Sequence, residues 1–220
     1  MEKAFGLEIP QNLDEACDPR RLALLVYDMQ VGILHQLANG AAIAARVLET
    51  LEAARNASLR VFFLRHLSLP VELAGAFQLR QAMAWQKVSR ATEVKPWFLR
   101  GSPNFELLPE LAPRPSEAIL DKITFSAFEG TPLDIALRDC GVNAFAICGA
   151  ATEIGIEPTV RHGADLGYIP IVITDACGAG DEEAGRRALA SIEFTGDAYL
   201  TELATFERIL AERAESSRLE

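Results

Sequence analysis

Apolar residues along this chain fall into short unbroken runs, separated by longer segments in which they recur every three or four positions. Runs of the first kind are Arg21–Asp28 (RLALLVYD), Leu59–Arg65 (LRVFFLR), Ala118–Asp121, Ala144–Cys148 (AFAIC) and Ile169–Asp175 (IPIVITD). Their length and near-continuous hydrophobicity predict strands buried on both faces, as in a parallel sheet. Segments of the second kind predict helices at about Ala41–Asn56, Pro132–Cys140, Glu182–Ile192 and Glu202–Glu212. After Cys148 the chain meets Gly149, two alanines and Thr152, then a mixed segment that stops at Gly167. That order predicts a buried strand, a glycine turn, a threonine N-cap and a helix, whose first turn offers backbone N–H groups and a positive dipole end. Strands alternating with helices imply an α/β, Rossmann-like three-layer fold, a parallel sheet covered on both faces. Residues 1–20 read as a polar lead-in. Without repeats or low-complexity linkers, residues 1–220 are expected to form one domain.

Composition narrows the function classes. The chain carries a net charge of −10, which argues against a nucleic-acid backbone as partner. No apolar run approaches the ~18 residues of a membrane span, and the first residues lack the pattern of a secretion signal, so a cytoplasmic location is expected. The four cysteines, Cys17, Cys140, Cys148 and Cys177, have neither CxxC nor CxH spacing, so they read as buried small hydrophobes rather than a disulfide framework or zinc site.

In a parallel α/β sheet the chemistry collects at the carboxyl ends of the strands. Those ends carry Asp28, His66, the pair Asp121–Lys122, the Gly149–Gly155 turn and Asp175. Asp175 is expected to cap a turn, and His66 to be a satisfied histidine at a strand edge. Asp28 and Lys122 each follow apolar residues and would be costly to bury alone, so each needs the other or a ligand.

LLVYDMQ (Leu24–Gln30), DKITFSAFEGTPL (Asp121–Leu133), CGAATEIGIEPTVRHGADLGY (Cys148–Tyr168) and VITDACGAGDEE (Val172–Glu183) together resemble the signatures of the isochorismatase-like hydrolases, in the family's order, from about Leu22 to Leu210. The resemblance implies an Asp–Lys–Cys triad in most members. Asp28 and Lys122 match the first two positions. The nucleophile's position, three residues after the threonine of the turn, is Gly155. A thiolate mechanism would therefore lack its nucleophile, and Cys148 and Cys177 lie outside the turn. The histidine cluster of the nicotinamidases is represented by His66 alone, with His35 and His162 showing no ligand spacing to it, so no metal and no cofactor are expected. Glycine at this position resembles the isochorismatases proper, which hydrolyse a vinyl ether without a covalent intermediate. That likeness implies Asp28 as general acid or base and Lys122 as charge partner, with the turn at Ala150, Ala151 and Glu153 against the substrate. Ala151 and Glu153 replace the tyrosine and histidine of that branch, and His162 and Gly163 depart from it farther on. Glu153 is either a base for water or an acidic residue favoured by the helix dipole. Pro158 requires the helix to begin or kink near it.

Residues Gln78–Gly101 carry five cations (Arg80, Lys87, Arg90, Lys95, Arg100) against Glu93, a local balance of +4, and both tryptophans, Trp85 and Trp97. They read either as a lid, with Arg80, Lys87 and Trp85 holding an acidic or cyclic small-molecule substrate, or as a subunit contact. The family likeness implies a homo-oligomer, a dimer or larger. Three functions follow: a hydrolase acting without a covalent intermediate, an inactive relative that binds a ligand or partner protein, or an amidohydrolase with an unusual nucleophile such as Thr152 or Ser126.

Overall fold

A computed structural model of the chain describes residues 1–216. Six parallel strands form the central sheet: β3 (Leu22–Tyr27), β4 (Arg60–His66), β5 (Ala118–Lys122), β6 (Ala144–Ala150), β7 (Ile169–Gly178) and β8 (Tyr199–Thr201), in the spatial order β5-β4-β3-β6-β7-β8. A small antiparallel hairpin, β1 (Glu2–Ala4) and β2 (Leu7–Ile9), and a four-residue helix α1 (Leu13–Ala16) occupy the expected lead-in. The hairpin and β8 are strands the hydrophobic pattern does not reveal, three residues each being too few to display a period, and the helices α1, α2 (Val31–Leu34) and α4 (Ala76–Gln86) were not predicted from it either.

Alternation along β3 builds two cores. Leu22, Leu24 and Val26 face one layer together with Ile43, Val47 and Leu51 of α3 (Gly40–Asn56) and Phe206, Ile209 and Leu210 of α8 (Leu203–Ser216). Ala23, Leu25 and Tyr27 face the other with Leu133 and Leu137 of α5 (Leu133–Asp139), Val160 of α6 (Glu157–Asp165) and Ile192 of α7 (Glu182–Thr195). The three-layer parallel architecture is therefore the one the pattern predicts. Near-continuous apolar runs are required because both faces of each inner strand are covered.

The chain winds outward from β3 to β4 and β5, then returns to the other side of β3 with β6. The switch between β3 and β6 opens a crevice beyond their carboxyl ends, the place where such sheets bind ligands. β6 continues through Gly149 and Ala150, two residues past the expected end, and Gly149 (φ +126°) takes a conformation open to glycine where the register with β7 shifts. A wide π-type turn, Thr152–Ile156, leads into α6. Pro158 occupies the second position of α6, where no intrahelical N–H is missed, so its cost is avoided. Thr152 is not the N-cap expected of it. The cap position is Ala151, and the Thr152 hydroxyl donates to the Gly178 carbonyl at 3.0 Å, tying the turn to the end of β7.

Candidate active site at the carboxyl end of the sheet

Asp28 directly follows β3 and is 6% exposed; Lys122 ends β5 and is 2% exposed. β4 lies between their strands, so the two backbones are two strand spacings, ~10 Å, apart. The long lysine stem spans this gap over the Tyr27 ring (Nζ 4.2 Å from its centroid) and places Nζ 2.8 Å from Asp28 Oδ2. Asp28 Oδ1 is buried and has no hydrogen-bond partner. Burial raises the Asp28 carboxyl to about 6, against the lowering effect of Lys122. Burial likewise lowers the Lys122 ammonium, opposed by Asp28. Desolvation outweighs attraction for both members of the pair.

The Asp28 backbone adopts φ +48°, and its N–H donates to the Leu64 carbonyl at 3.0 Å. Gln30, fully buried, clamps the neighbouring strand end: Nε2 donates to the carbonyls of His66 (3.0 Å) and Phe105 (2.8 Å), while Oε1 accepts from His66 N (2.6 Å). Sequence reasoning missed this role: Gln30 stood there only as the last residue of the LLVYDMQ signature, without a signal of its partners. His66 is held edge-on to Phe98, and burial lowers its imidazole to about 3, so the ring is neutral near pH 7. Asp121, alternating away from Lys122, pairs with Arg65 (2.8 Å) and Arg100 (2.7 Å). Asp175 lies within β7 and caps a helix rather than the turn expected of it, accepting from Leu203 N at the start of α8 (2.8 Å).

A cavity of about 400 Å³ opens on Asp28. It is lined by Tyr27, Asp28 and His66, by Ala150, Ala151, Glu153 and Gly155 of the turn, and by the aromatic side chains of Trp85, Trp97, Phe98 and Phe125. A second cavity of about 290 Å³ shares the four aromatic residues and His66, and continues beneath α4 (Ala76–Gln86). Residues 78–101 thus form a wall of the cleft, through their aromatic side chains. Arg80 and Lys87 are exposed and line neither cavity, and among the described residues no lysine or arginine lines either one. The expected carboxylate binders are therefore corrected: Trp85 reaches the cleft, but the cations on the same segment face outward. An acidic substrate would meet Asp28, Glu153 and Asp181 and no positive wall.

Glu153 Oε1 accepts from Gly180 N and Asp181 N, both at 2.9 Å, and its Oε2 is buried without a partner. The N–H groups of Ile154, Gly155 and Ile156 all converge on the Ala151 carbonyl, so these three are not free to serve a substrate as the turn was expected to do.

Gly155 is closed in by Tyr27. A Cβ at position 155 would lie 2.2 Å from the Tyr27 hydroxyl oxygen. The tyrosine ring, 1% exposed, fills the space a side chain there would take, and its hydroxyl donates to the Phe125 carbonyl. Among the described residues no cysteine lines either cavity, and burial raises Cys17 and Cys177 to about 12 and Cys148 well above its ordinary value. Ser126 is outside the cavities, its Oγ 2.9 Å from His162 Nδ1 and accepting from Phe128 N, a support for the loop after β5. Among the described residues, no group of three or more His, Cys, Asp or Glu is arranged to hold a metal ion.

The isochorismatase domain description matches residues 22–205. The chain belongs to the isochorismatase family. Within it, the ureidoacrylate amidohydrolase RutB of Methylobacterium radiotolerans is 31% identical over 211 residues, covering 89% of this chain and 81% of the relative. Among solved structures, a cysteine hydrolase from Pseudomonas syringae pv. phaseolicola superposes with a TM-score of 0.77 at 27% identity, covering 90% of this chain and 96% of that one. An isochorismatase family protein from Burkholderia thailandensis follows with a TM-score of 0.71 at 27% identity, covering 87% and 96%. Family membership makes this chain a hydrolase by descent, and Asp28 lines its cleft while held in a buried ion pair with Lys122.

Proposed function

We propose that this isochorismatase-family protein hydrolyses a C–N bond of a small substrate by direct attack of water, without a covalent enzyme intermediate. The observation that carries the reading is the Asp28–Lys122 pair: Lys122 holds Oδ2, leaving Oδ1 buried and unpartnered on a residue that lines the cavity. Near pH 7 a carboxyl raised to about 6 is mostly ionised and close enough to neutrality to exchange a proton efficiently. Asp28 takes a proton from water as the oxygen attacks the carbonyl carbon. It returns that proton to the departing nitrogen as the tetrahedral intermediate collapses. Lys122 keeps the carboxylate oriented and balances its charge. Gly155, where the resemblance puts the family's cysteine, has no side chain to attack with and no room for one beside Tyr27. The amidohydrolase relative supports the choice of a C–N bond.

A second reading follows from the same raised carboxyl. In its protonated form Asp28 is an acid able to protonate a vinyl ether carbon, after which water captures the oxocarbenium ion. Both readings are tested on one panel of amides, ureides and vinyl ethers, assayed with wild type, Asp28→Asn and Lys122→Ala, with intact mass recorded during turnover. Hydrolysis of an amide or ureide, lost in both variants and leaving no adduct on the protein, is the expected result. A stable adduct overturns the direct-water mechanism. Silence across the panel favours a ligand-binding relative instead. The homo-oligomer implied by the family is likewise proposed, and light scattering on the purified protein measures it.

A further inference from the structure

The wall of the cleft has a one-sided chemistry. Asp28, Glu153 and Asp181 line it, and among the described residues no lysine or arginine does. Lys122 neutralises Asp28. Glu153 has no ion-pair partner among the described residues: two backbone N–H groups meet Oε1, and Oε2 has no donor. Trp85, Trp97, Phe98 and Phe125 line the same cleft, and the faces of such rings carry negative quadrupole charge. Trp85 and Phe125 lie 6.3 Å apart at an interplanar angle of 33°, and Trp97 and Phe98 6.2 Å apart at 77°, so the four rings form two packed pairs. His66 adds no positive charge near pH 7 because its ring is neutral. A partly desolvated cavity lined by three carboxyl residues, with no lysine or arginine and with four aromatic rings, favours cations over anions.

We propose that the cleft is selective for a small organic cation, an ammonium or guanidinium carried on an apolar body, with its charged nitrogen on the Glu153 side and its body between Trp85, Trp97, Phe98 and Phe125. Calling this ligand a substrate rests on the hydrolytic reading above. Its binding rests on the cleft alone, and the two are tested separately.

Trp85 and Trp97 are the chain's two tryptophans and both line the cleft, so intrinsic fluorescence reports occupancy directly. Benzylammonium, benzyl alcohol and phenylacetate present the same ring with positive, neutral and negative groups, and each is titrated against the full-length protein. Benzylammonium is expected to bind at least about tenfold more tightly than benzyl alcohol, and phenylacetate more weakly than either. In Glu153→Gln, which keeps an acceptor for Gly180 N and Asp181 N, the preference of cation over alcohol should fall to about twofold or less. Trp85→Leu, at a side chain 46% exposed and so safe for folding, should weaken the cation more than the alcohol and leave Trp97 to report. Phenylacetate binding as tightly as benzylammonium overturns the proposal. So does a preference unchanged in Glu153→Gln and Trp85→Leu, or no response to any probe at millimolar concentration. Selective cation binding without turnover of any amide or ureide would leave this proposal standing and fail the hydrolytic one. Turnover of neutral or anionic substrates without cation preference would do the reverse.

Discussion

Replacing Gly155 by alanine adds one carbon whose position would be 2.2 Å from Tyr27 Oη, 2.4 Å from Cε1 and 2.5 Å from Cζ. Carbon–carbon contacts normally settle at ~3.5–4.0 Å, so the overlap is about an ångström on three atoms at once. Neither side gives easily. The tyrosine hydroxyl donates to the Phe125 carbonyl, and the ring carries the Lys122 ammonium on its face. The Gly155 carbonyl accepts from Thr159 Oγ1 at 2.7 Å, and the Thr159 hydroxyl in turn accepts from Ala127 N at 3.0 Å. Overpacking costs ~1–3 kcal/mol. Loss of the tyrosine's hydrogen bond adds ~0.5–1.5 kcal/mol. Gly155→Ala is therefore expected to lose about 2–4 kcal/mol, seen as a lower urea midpoint at unchanged slope. Tyr27→Val also destabilises, by leaving a cavity, but the double variant Gly155→Ala/Tyr27→Val should be more stable than the sum of the single changes by about 2 kcal/mol, because the added carbon then enters vacated space. All four proteins are compared at one concentration, so that any association contributes equally. A Gly155→Ala protein within about 0.5 kcal/mol of wild type, or strictly additive changes, would refute the idea that Tyr27 occupies the space of a side chain at 155.

The pH dependence of kcat/KM should rise through about 6 to a plateau in wild type, the carboxylate form of Asp28 being the active one, and this limb should vanish with the residual activity of Asp28→Asn; a limb falling above about 6 would assign the protonated acid and the vinyl-ether reading. For stability the sign is different: a carboxyl raised in the folded state binds its proton more tightly there, so Asp28 favours folding most below its ordinary value of 3.8, and that contribution is lost as pH rises through about 6. Lys122→Met removes the group that lowers Asp28 and leaves an unpaired buried carboxyl, so it should cost ~3–5 kcal/mol near pH 7 by chemical denaturation and much less near pH 4, where Asp28 is protonated. Cys140 is exposed while Cys17, Cys148 and Cys177 are held back by burial, so a thiol reagent in slight excess should modify Cys140 first, by peptide mass mapping, and leave activity intact; inactivation that tracks Cys148 or Cys177 would revive a thiol mechanism.

The sequence by itself determined the layers and the floor of the cleft. Strands buried on both faces must be apolar without interruption, so five of the six sheet strands declare themselves, and a carboxylate or lysine at the end of such a run is conspicuous because burial there is costly. That is why Asp28 and Lys122 were legible as a pair although 94 residues separate them. Three-residue strands carry no period, and β8 and the β1–β2 hairpin escaped notice for that reason. Only the tertiary structure decided which side chains of residues 78–101 face inward. Charge along a segment is visible in the sequence, but direction depends on the helix's rotation, and it sends Trp85 to the cleft and Arg80 and Lys87 to solvent. Thr152 shows the same limit: a residue type suited to capping was taken by a carbonyl on β7, a partner 26 positions away. The Tyr27–Gly155 contact was hidden most completely. Nothing local in either residue announces the other, and their meeting follows from β3 and β6 being neighbours with Tyr27 on the face that α6 covers.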